Sequence, residues 1–593
     1  MPSRQRAPDC TTPLVPPPAR FPATTSPVKR PPDLLYGVDE KPPLSVILSN
    51  GVQHAGVISS SLIYPLVIFK LAGVSVATMT ELISVGLVVL GIGTFIQSTR
   101  ASPAGSGFMC PATFSATYFS ASALAVKAGG LPLLFGMTVF AGLLEAAISR
   151  ALSRLRAFLP TELSGLVVFM IGIAAGIGGV RLMYGEGAAP VSGNEWLVAG
   201  LSLGVMVALN VWGKGAAKML CVLIGLAIGY AAAAAAGLFT NEHGANLAAA
   251  PWVALPTLRH AAWSFDITVA AAFAIASVAA AMKAAGTIAM CQRMNDADWV
   301  RPEPRSVTRG VLGDGLTTAL AGLAGAFGTN TSTPSVGVAA ATGVGSRHVA
   351  YAVGAILIVL GIMPKIVALL AMMPRAVMVA GLLFSACFIL INGLQVMTSR
   401  MLDIRRTLII GIAIIAGLAV DIFPAIAAGA PGALAPLVAS SLACATVIAL
   451  ALNLLFRIGV KKTVALKVER EAVDSANISD FLRVNGAKWG ARPEIISRAS
   501  FAANQLVEAV ADSCWQSGTL ALEASFDEFN LVIHASYPGA PMTFPNQRPT
   551  DNDIIESDDG MSRLAGFMLR HNADRIRSEA RGAHAHIWFH FDH

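Results

Sequence analysis

Apolar stretches follow one another almost without pause from about residue 44 to residue 458. A helix that crosses the hydrocarbon core of a bilayer needs about 20 predominantly apolar residues. On that measure candidate spans fall at 44–69, 77–97, 108–126, 131–149, 162–181, 195–212, 216–237, 265–290, 310–327, 335–346, 349–363, 376–395, 405–423 and 433–457, fourteen in all. Two of them, 108–126 and 335–346, are short and interrupted by Gly, Pro and small polar residues. The interruption is plainest in Gly328–Arg347, GTNTSTPSVGVAAATGVGSR. Non-helical backbone at membrane depth persists only where protein buries it or where it lines a polar cavity. Composition alone leaves this stretch open between a loop joining two helices and one wall of a solute site.

The flanks follow other patterns. Residues 1–43 hold twelve prolines and no apolar run. That predicts a disordered cytoplasmic tail without a cleavable signal peptide, ending in the lead-in LLYGVDEKPPL. Residues 463–593 are charged and contain no span. There Pro493–Cys514 has helical periodicity, and LALEASFDEFNLVIHASY alternates as two strands around Asp527 and Glu528. DGMSRLAGFMLRHNADRIR reads as a second helix and HAHIWFHF as a final strand. The expected fold class is an all-α polytopic membrane protein, with its transmembrane domain at 44–458 and a C-terminal cytosolic α+β domain at 463–593.

Composition agrees with membrane embedding. The chain is 54% hydrophobic and 13% charged, with a mean hydropathy of +0.64, against about 25% charge in soluble domains. The net charge of +7 is small for 593 residues and spread along them, so it does not mark a nucleic-acid partner. The seven cysteines are scattered, with no CxxC and no metal-ligand spacing, and read as small apolar residues.

Charge placement orients the spans. With the N-terminus inside, inward loops hold fourteen basic residues: Arg100, Arg150, Arg154, Arg156, Lys214, Lys218, Arg293, Arg301, Arg305, Arg309, Arg347, Arg400, Arg405 and Arg406. Outward loops hold six: Lys70, Lys127, Arg181, Arg259, Lys365 and Arg375. The excess of inward Lys and Arg places both termini in the cytoplasm. The two interrupted segments, GSGFMCPATFSA (Gly105–Ala116) and TSTPSVGVAA (Thr331–Ala340), are each third in a set of seven. An odd repeat makes the second set inverted. Paired Gly/Pro breaks at equivalent places in two halves point to a midplane site, where facing half-helices would offer free N–H groups to a polar ligand. Symmetry alone does not separate a carrier from a channel or an anion exchanger.

Four local patterns resemble the nucleobase–ascorbate transporter family, the xanthine/uracil permeases. They are Gln53-His54 in segment one; AMKAAGTIAMCQRMNDADWVRPEPRS closing segment eight; SVTRGVLGDGLTTALAGLAGAFGT with Arg309, Gly310, Asp314 and Gly315 in segment nine; and Pro334-Ser335-Val336-Gly337, then Thr342-Gly343 and Ser346-Arg347, in segment ten. The resemblance covers about residues 34–458. It implies fourteen spans as two inverted seven-span repeats, divided into core and gate domains, with substrate held between segments one, three, eight and ten. It further implies a carrier and not an enzyme, uptake of uracil, xanthine or related purines with H⁺ or sometimes Na⁺, the bacterial inner membrane and a homodimer. No other cofactor is implied. Substrate-binding candidates are then Ala112 and Phe114 in segment three, Lys283 and Thr287 in segment eight, and Pro334, Ser335 and Gly337 in segment ten. Gln53, His54, Asp314 and Thr342 are candidates for a coupling or structural network.

Two departures bear on chemistry. Ser335 stands where the family usually has Asn, and lacks its paired amide contact. In segment eight the family's Glu-x-x-Gly-Asp is Lys283-Ala284-Ala285-Gly286-Thr287, so both acids are gone and one is replaced by a cation. Lys283 precedes Arg293 by ten residues, or about 15 Å of helix, which sets it near mid-membrane. An intramembrane Lys marks a functional site by default. It either contacts an acceptor-rich or anionic ligand, such as a xanthine or urate anion, or is tied to Asp314 or held neutral. Proton coupling then falls to His54, Glu145 or Asp314. His54 also reads as a hydrogen-bonded histidine fixing segment eight against segment one, and Asp314 as a cap near the start of segment nine.

The tail resembles the ATP-binding fold of histidine kinases and anti-sigma kinases. The family's Glu-x3-Asn is here Glu508-x3-Asp512, and its glycine-rich lid is reduced to Asp559, Gly560 and Gly566. Sparse glycines favour a degenerate regulatory or dimerising module over a nucleotide binder. His584, His586 and His590 read as an exposed strand face, with a metal site the alternative. A solute sensor with a kinase-like tail, or a carrier of another small organic anion, is the competing account.

Overall fold

The computed structural model describes residues 30–592, apart from 101, 156–160, 185–189, 240–246, 298, 300–301, 399–401, 403, 424, 427–440, 457–461, 471–474, 514, 516–517, 527–529, 546 and 550–559. In the apolar region the helices run as α1 (Leu44–Leu71, through a tight turn at Ser60–Leu62), α2 (Val76–Ser98), α3 (Phe119–Leu155), α4 (Thr161–Tyr184), α5 (Gly193–Trp212), α6 (Cys221–Ala235) and α7 (Ile267–Asn295). They continue as α8 (Pro304–Ala324), α9 (Thr333–Thr342), α10 (Arg347–Gly361), α11 (Pro364–Ala371), α12 (Arg375–Met397), α13 (Ile404–Ile422) and α14 (Ser441–Phe456). Short strands β1 (Ala112–Phe114) and β2 (Thr329–Thr331) precede α3 and α9.

Among the described residues seven helices, α1 to α5, α7 and α12, are long and apolar enough to cross a membrane. An eighth span arises if α10 and α11, bent by 80°, are taken together. The protein is a helical, multi-pass membrane protein. Several expected spans correspond to shorter or less apolar helices, among them α6, α8, α9 and α14. The expected break between 126 and 131 is a kink inside α3 at Gly129 and Gly130, the latter at φ 68°, just before Pro132.

Local chemistry sets the helix ends. Ser75 accepts the Thr78 N–H at the start of α2, and Ser192 with Glu195 forms a capping box at the start of α5. Glu195 also takes a bidentate ion pair from Arg375 at the start of α12, at 2.5 and 2.8 Å. Gly165 and Gly172 of α4 let the α12 backbone approach so closely that a Cβ would lie 2.3 Å from the Met397 nitrogen and 2.5 Å from that of Leu390. Gly142 of α3 and Gly315 of α8 do the same for that pair. Small residues at the seam are how membrane helices gain packing without a hydrophobic drive.

Residues 1–29 of the expected N-terminal tail lie outside the described residues. The lead-in is ordered rather than disordered: Leu35 and Tyr36 N–H groups donate to Gly343 O, and Arg347 pairs with Asp39 at 2.6 Å. Arg347 is thereby committed to an ion pair.

Beyond the spans lie β3 (Lys462–Glu469), α15 (Ser475–Trp489), α16 (Pro493–Ser513), β4 (Thr519–Phe526), β5 (Asn530–Pro538), α17 (Gly560–Asn572), β6 (Arg575–Arg581) and β7 (His584–Asp592). The strands form one antiparallel sheet in the order β3-β4-β5-β7-β6. Alternation buries Leu520, Leu522, Ile533, Ile587 and Phe589 on one face, in a cluster that α15 and α16 complete with Leu482, Val507 and Val510. The second helix ends earlier than the pattern predicts, at Asn572, because Asp574 onward turns back as strand β6.

Candidate functional site

β1 and β2 meet antiparallel, with Ala112 opposite Thr331, Thr113 opposite Asn330 and Phe114 opposite Thr329. All six residues are buried. The sequence predicts half-helices facing one another at this place. The structure instead joins the two polar stretches through a two-stranded ladder that satisfies their backbone groups, and each helix starts just beyond it.

Every neighbouring element is tied to this crossing. Thr94 of α2 accepts the Ala112 N–H at 3.0 Å. Ser61 of α1 accepts from the Thr113 hydroxyl at 2.8 Å and from the Phe114 N–H at 3.3 Å. Thr318 of α8 donates to the Thr329 carbonyl at 2.9 Å. Asn330 donates to the Ala280 carbonyl of α7 at 3.0 Å. Buried polar groups need such partners, so these bonds set the register of four helices around β1 and β2.

α9 begins at Ser332, whose hydroxyl accepts the Ser335 N–H and donates to the Ser335 hydroxyl at 2.8 Å. Pro334 follows the cap in the first turn, where its missing N–H is not needed. Across from it, Thr287 and Thr333 share a hydrogen bond at 2.7 Å, and Thr287 also donates to the Lys283 carbonyl at 2.9 Å. A methyl group on Gly286 or Gly337 would meet no atom within 4 Å. Both glycines are exposed, and Lys283 and Pro334 stand within one turn of them on α7 and α9.

Lys283 is half-buried. Its charge is felt by Asp314, Glu145 and Cys110. Yet among the described residues it makes no ion pair within 4.0 Å, so the expected tie to Asp314 is a field and not a contact.

The remaining candidates divide. Lys283, Thr287, Pro334 and Gly337 come together at the α7–α9 junction. Ala112 and Phe114 belong to the β1 ladder, and the Phe114 ring is packed against Gly86 and Phe327 rather than turned to open space. Ser335 is fully buried, and its hydroxyl accepts from Ser332 at 2.8 Å. Thr342 closes α9 by bonding its own helix at Val338. His54 is fully buried, and among the described residues neither ring nitrogen has a hydrogen-bond partner, so the expected bond to segment eight is not made. Gln53 lies on the same helix, part-exposed. Asp314 is no cap: α8 starts at Pro304, and Asp314 sits deep within it, 3% exposed. Asn330, Thr333 and Ser61 were missed. The first two lie inside the polar stretch, but nothing in residue type separates a ladder residue from a wall residue.

The Permease family model, that of the xanthine/uracil permeases, matches residues 46–426. The chain belongs to this family. It is accordingly a transporter and not an enzyme. Xanthine permease XanP of Escherichia coli (strain K12) is 27% identical over 443 residues, covering 72% of this permease and 95% of that protein. Uric acid permease PucJ of Bacillus subtilis (strain 168) is 26% identical over 435 residues, covering 70% and 94%. A candidate purine permease of Clostridium perfringens (strain 13 / Type A) is 29% identical over 436 residues, covering 71% and 92%. Among solved structures, the transmembrane domain of the cyanobacterium bicarbonate transporter BicA aligns at a TM-score of 0.46 and 15% identity, over 69% of this permease and 97% of that chain.

The matched region ends well before the C-terminal sheet. There Glu508 is exposed on α16, while the Asp512 side chain and Asp559 lie outside those described. Gly566 is a packing residue: a Cβ there would lie 2.1 Å from the Thr543 carbonyl oxygen. On the open sheet face His534 bonds His586 at 3.0 Å and Glu523 at 3.2 Å, and its ring stacks on Trp588. No group of three metal-ligating side chains is found among the described residues.

Proposed function

We propose that this permease carries an oxopurine base, of the xanthine or uric acid type, across the cytoplasmic membrane by secondary active transport. The observation that carries this reading is Lys283 at the α7–α9 junction, with no carboxylate in contact among the described residues. An ammonium favours the carbonyl edge or a negative charge of a ligand. Oxopurines are rich in carbonyls and lose a proton readily, and relatives named for xanthine and uric acid fit that chemistry. The Thr287–Thr333 pair would supply neutral donors and acceptors beside it.

The finer architecture belongs to the same proposal. Fourteen spans form two inverted seven-span repeats, and the core that holds β1, β2, α7 and α9 moves past a gate containing α4 and α12 in an elevator-like cycle. Transport is driven by H⁺ or Na⁺. The permease is a homodimer in the inner membrane with both termini cytoplasmic, and residues 463–593 are a cytosolic regulatory module.

Uptake of labelled xanthine, urate and uracil into proteoliposomes tests the substrate class. Xanthine or urate should be taken up in preference to uracil. Uptake of none of the three would end the nucleobase reading, and a clear preference for uracil would end the role given to Lys283.

A further inference from the structure

Two carboxyl groups are buried where α3 packs on α8. Glu145 of α3 and Asp314 of α8 stand next to Ala146 and Gly315, where the two helix backbones meet, and each lies in the other's field. Glu145 is fully buried and Asp314 is 3% exposed. The Tyr118 hydroxyl donates to Glu145 Oε2 at 3.0 Å. Glu145 Oε1 and Asp314 Oδ2 have no conventional donor among the described residues.

An ionised carboxylate only accepts hydrogen bonds. Two carboxyls buried this near each other, with one cation in reach, cost least when they hold one proton between them, and the pair then behaves as one titrating unit. It carries one negative charge, and Lys283 supplies one positive charge within electrostatic reach. The other titratable groups that face the pair are Tyr118, ahead of α3, and Cys110, ahead of β1. They are neutral when protonated, so the cluster sums to zero. Neutrality matters because an uncompensated charge in a dry interior is costly.

We infer that the Glu145–Asp314 pair is the proton site of this permease, taking up a second proton when an anionic ligand engages Lys283. The inference rests on the proposed oxopurine transport. A bound monoanion adds one negative charge beside Lys283, and the second proton removes one from the carboxyl pair. Ligand and proton, drawn from the same compartment, leave the cluster neutral both empty and loaded. The moving core then carries no net charge through the membrane, so the cycle is electroneutral. The acid that segment eight lacks is replaced by acids on two other helices.

The test uses purified full-length protein in weakly buffered detergent solution near neutral pH, with urate as the monoanionic probe and a pH indicator. About one proton should be taken up per urate bound, and Glu145→Gln should abolish that uptake. In proteoliposomes the wild type should show at least a ten-fold gain in urate uptake from an inside-alkaline pH gradient and none from a potassium diffusion potential. Glu145→Asp should regain the gradient response that Glu145→Gln loses. Urate binding without proton uptake by the wild type, which needs no variant to fold, would overturn the inference and leave the substrate reading standing. A requirement for a sodium gradient in place of the pH gradient would also overturn it. Failure of urate, xanthine and uracil alike to bind would instead remove the substrate reading itself.

Discussion

Lys283 carries a cost of about 2.5–3.5 kcal/mol for a cation at mid-membrane; its depth was legible from residue spacing, and its place facing segment ten only from the family resemblance. What it contacts was not, because distance along a helix says nothing about rotamers. Asn330 shows the converse. It is fully buried and bonds the Ala280 carbonyl, yet in the sequence it is one polar residue among many. Replacing it by Ala removes this second bond to a carbonyl that the helix already engages, at an expected cost of about 0.5–1.5 kcal/mol. The readout is a lower thermal midpoint in detergent, and an unchanged midpoint would show that the bond is dispensable. Gly105 sits at φ 109°, with a would-be Cβ 2.1 Å from the Ile96 carbonyl oxygen, and its N–H donates to Arg309 O at 2.7 Å. Gly105→Ala should therefore sharply reduce the yield of monodisperse protein, because both the backbone conformation and the space forbid a side chain.

At the scale of elements, hydrophobic periodicity located most helices and the strands β4, β5 and β7. It missed β6, RIRSEAR, because that strand is at the sheet edge and its polar residues lack the apolar alternation that marks a half-buried strand. It also missed the β1–β2 pairing, since three-residue strands leave no period to read. The polar stretch was conspicuous, but its conformation was decided by a partner more than two hundred residues away. α9 depends on its cap. Ser332→Ala should cost about 1 kcal/mol of stability and weaken substrate binding through fraying of the first turn, whereas unaltered binding would mean that the ladder alone holds α9 in place. In the C-terminal sheet, burial and then the charges of His534, Arg581 and His584 hold His586 below its ordinary value of 6.5. The folded sheet thus prefers the neutral ring, while the unfolded chain binds the proton near 6.5. Stability from this site is present above that pH and is lost as pH falls through it toward the lower folded value. Hydrogen exchange in β5 and β7 of the full chain, corrected for intrinsic rates, should therefore quicken below pH 6.5, and His586→Gln should flatten the dependence. Equal slopes for wild type and variant would remove His586 as the cause.

For the whole molecule, membrane embedding and family followed from length, apolarity and four motifs in order. The count of spans did not settle as cleanly. Several helices are short, kinked or polar for structural reasons, such as the Gly129–Gly130 kink and the glycine-lined seams, and a span is recognised from sequence only when it is long and uniform. The site was legible as a region, Gly328–Arg347 with Lys283 opposite. Its division into a buried ladder, a junction with exposed glycines and a buried carboxyl pair required the fold. The central claim is that Lys283 is the ligand-facing charge of this permease. Equilibrium binding of labelled urate to purified wild type and Lys283→Gln, at fixed pH and ionic strength, tests it most directly. The account predicts at least ten-fold weaker binding by the variant, with a monodisperse profile in gel filtration showing that it still folds. Equal affinity in the two proteins would contradict it.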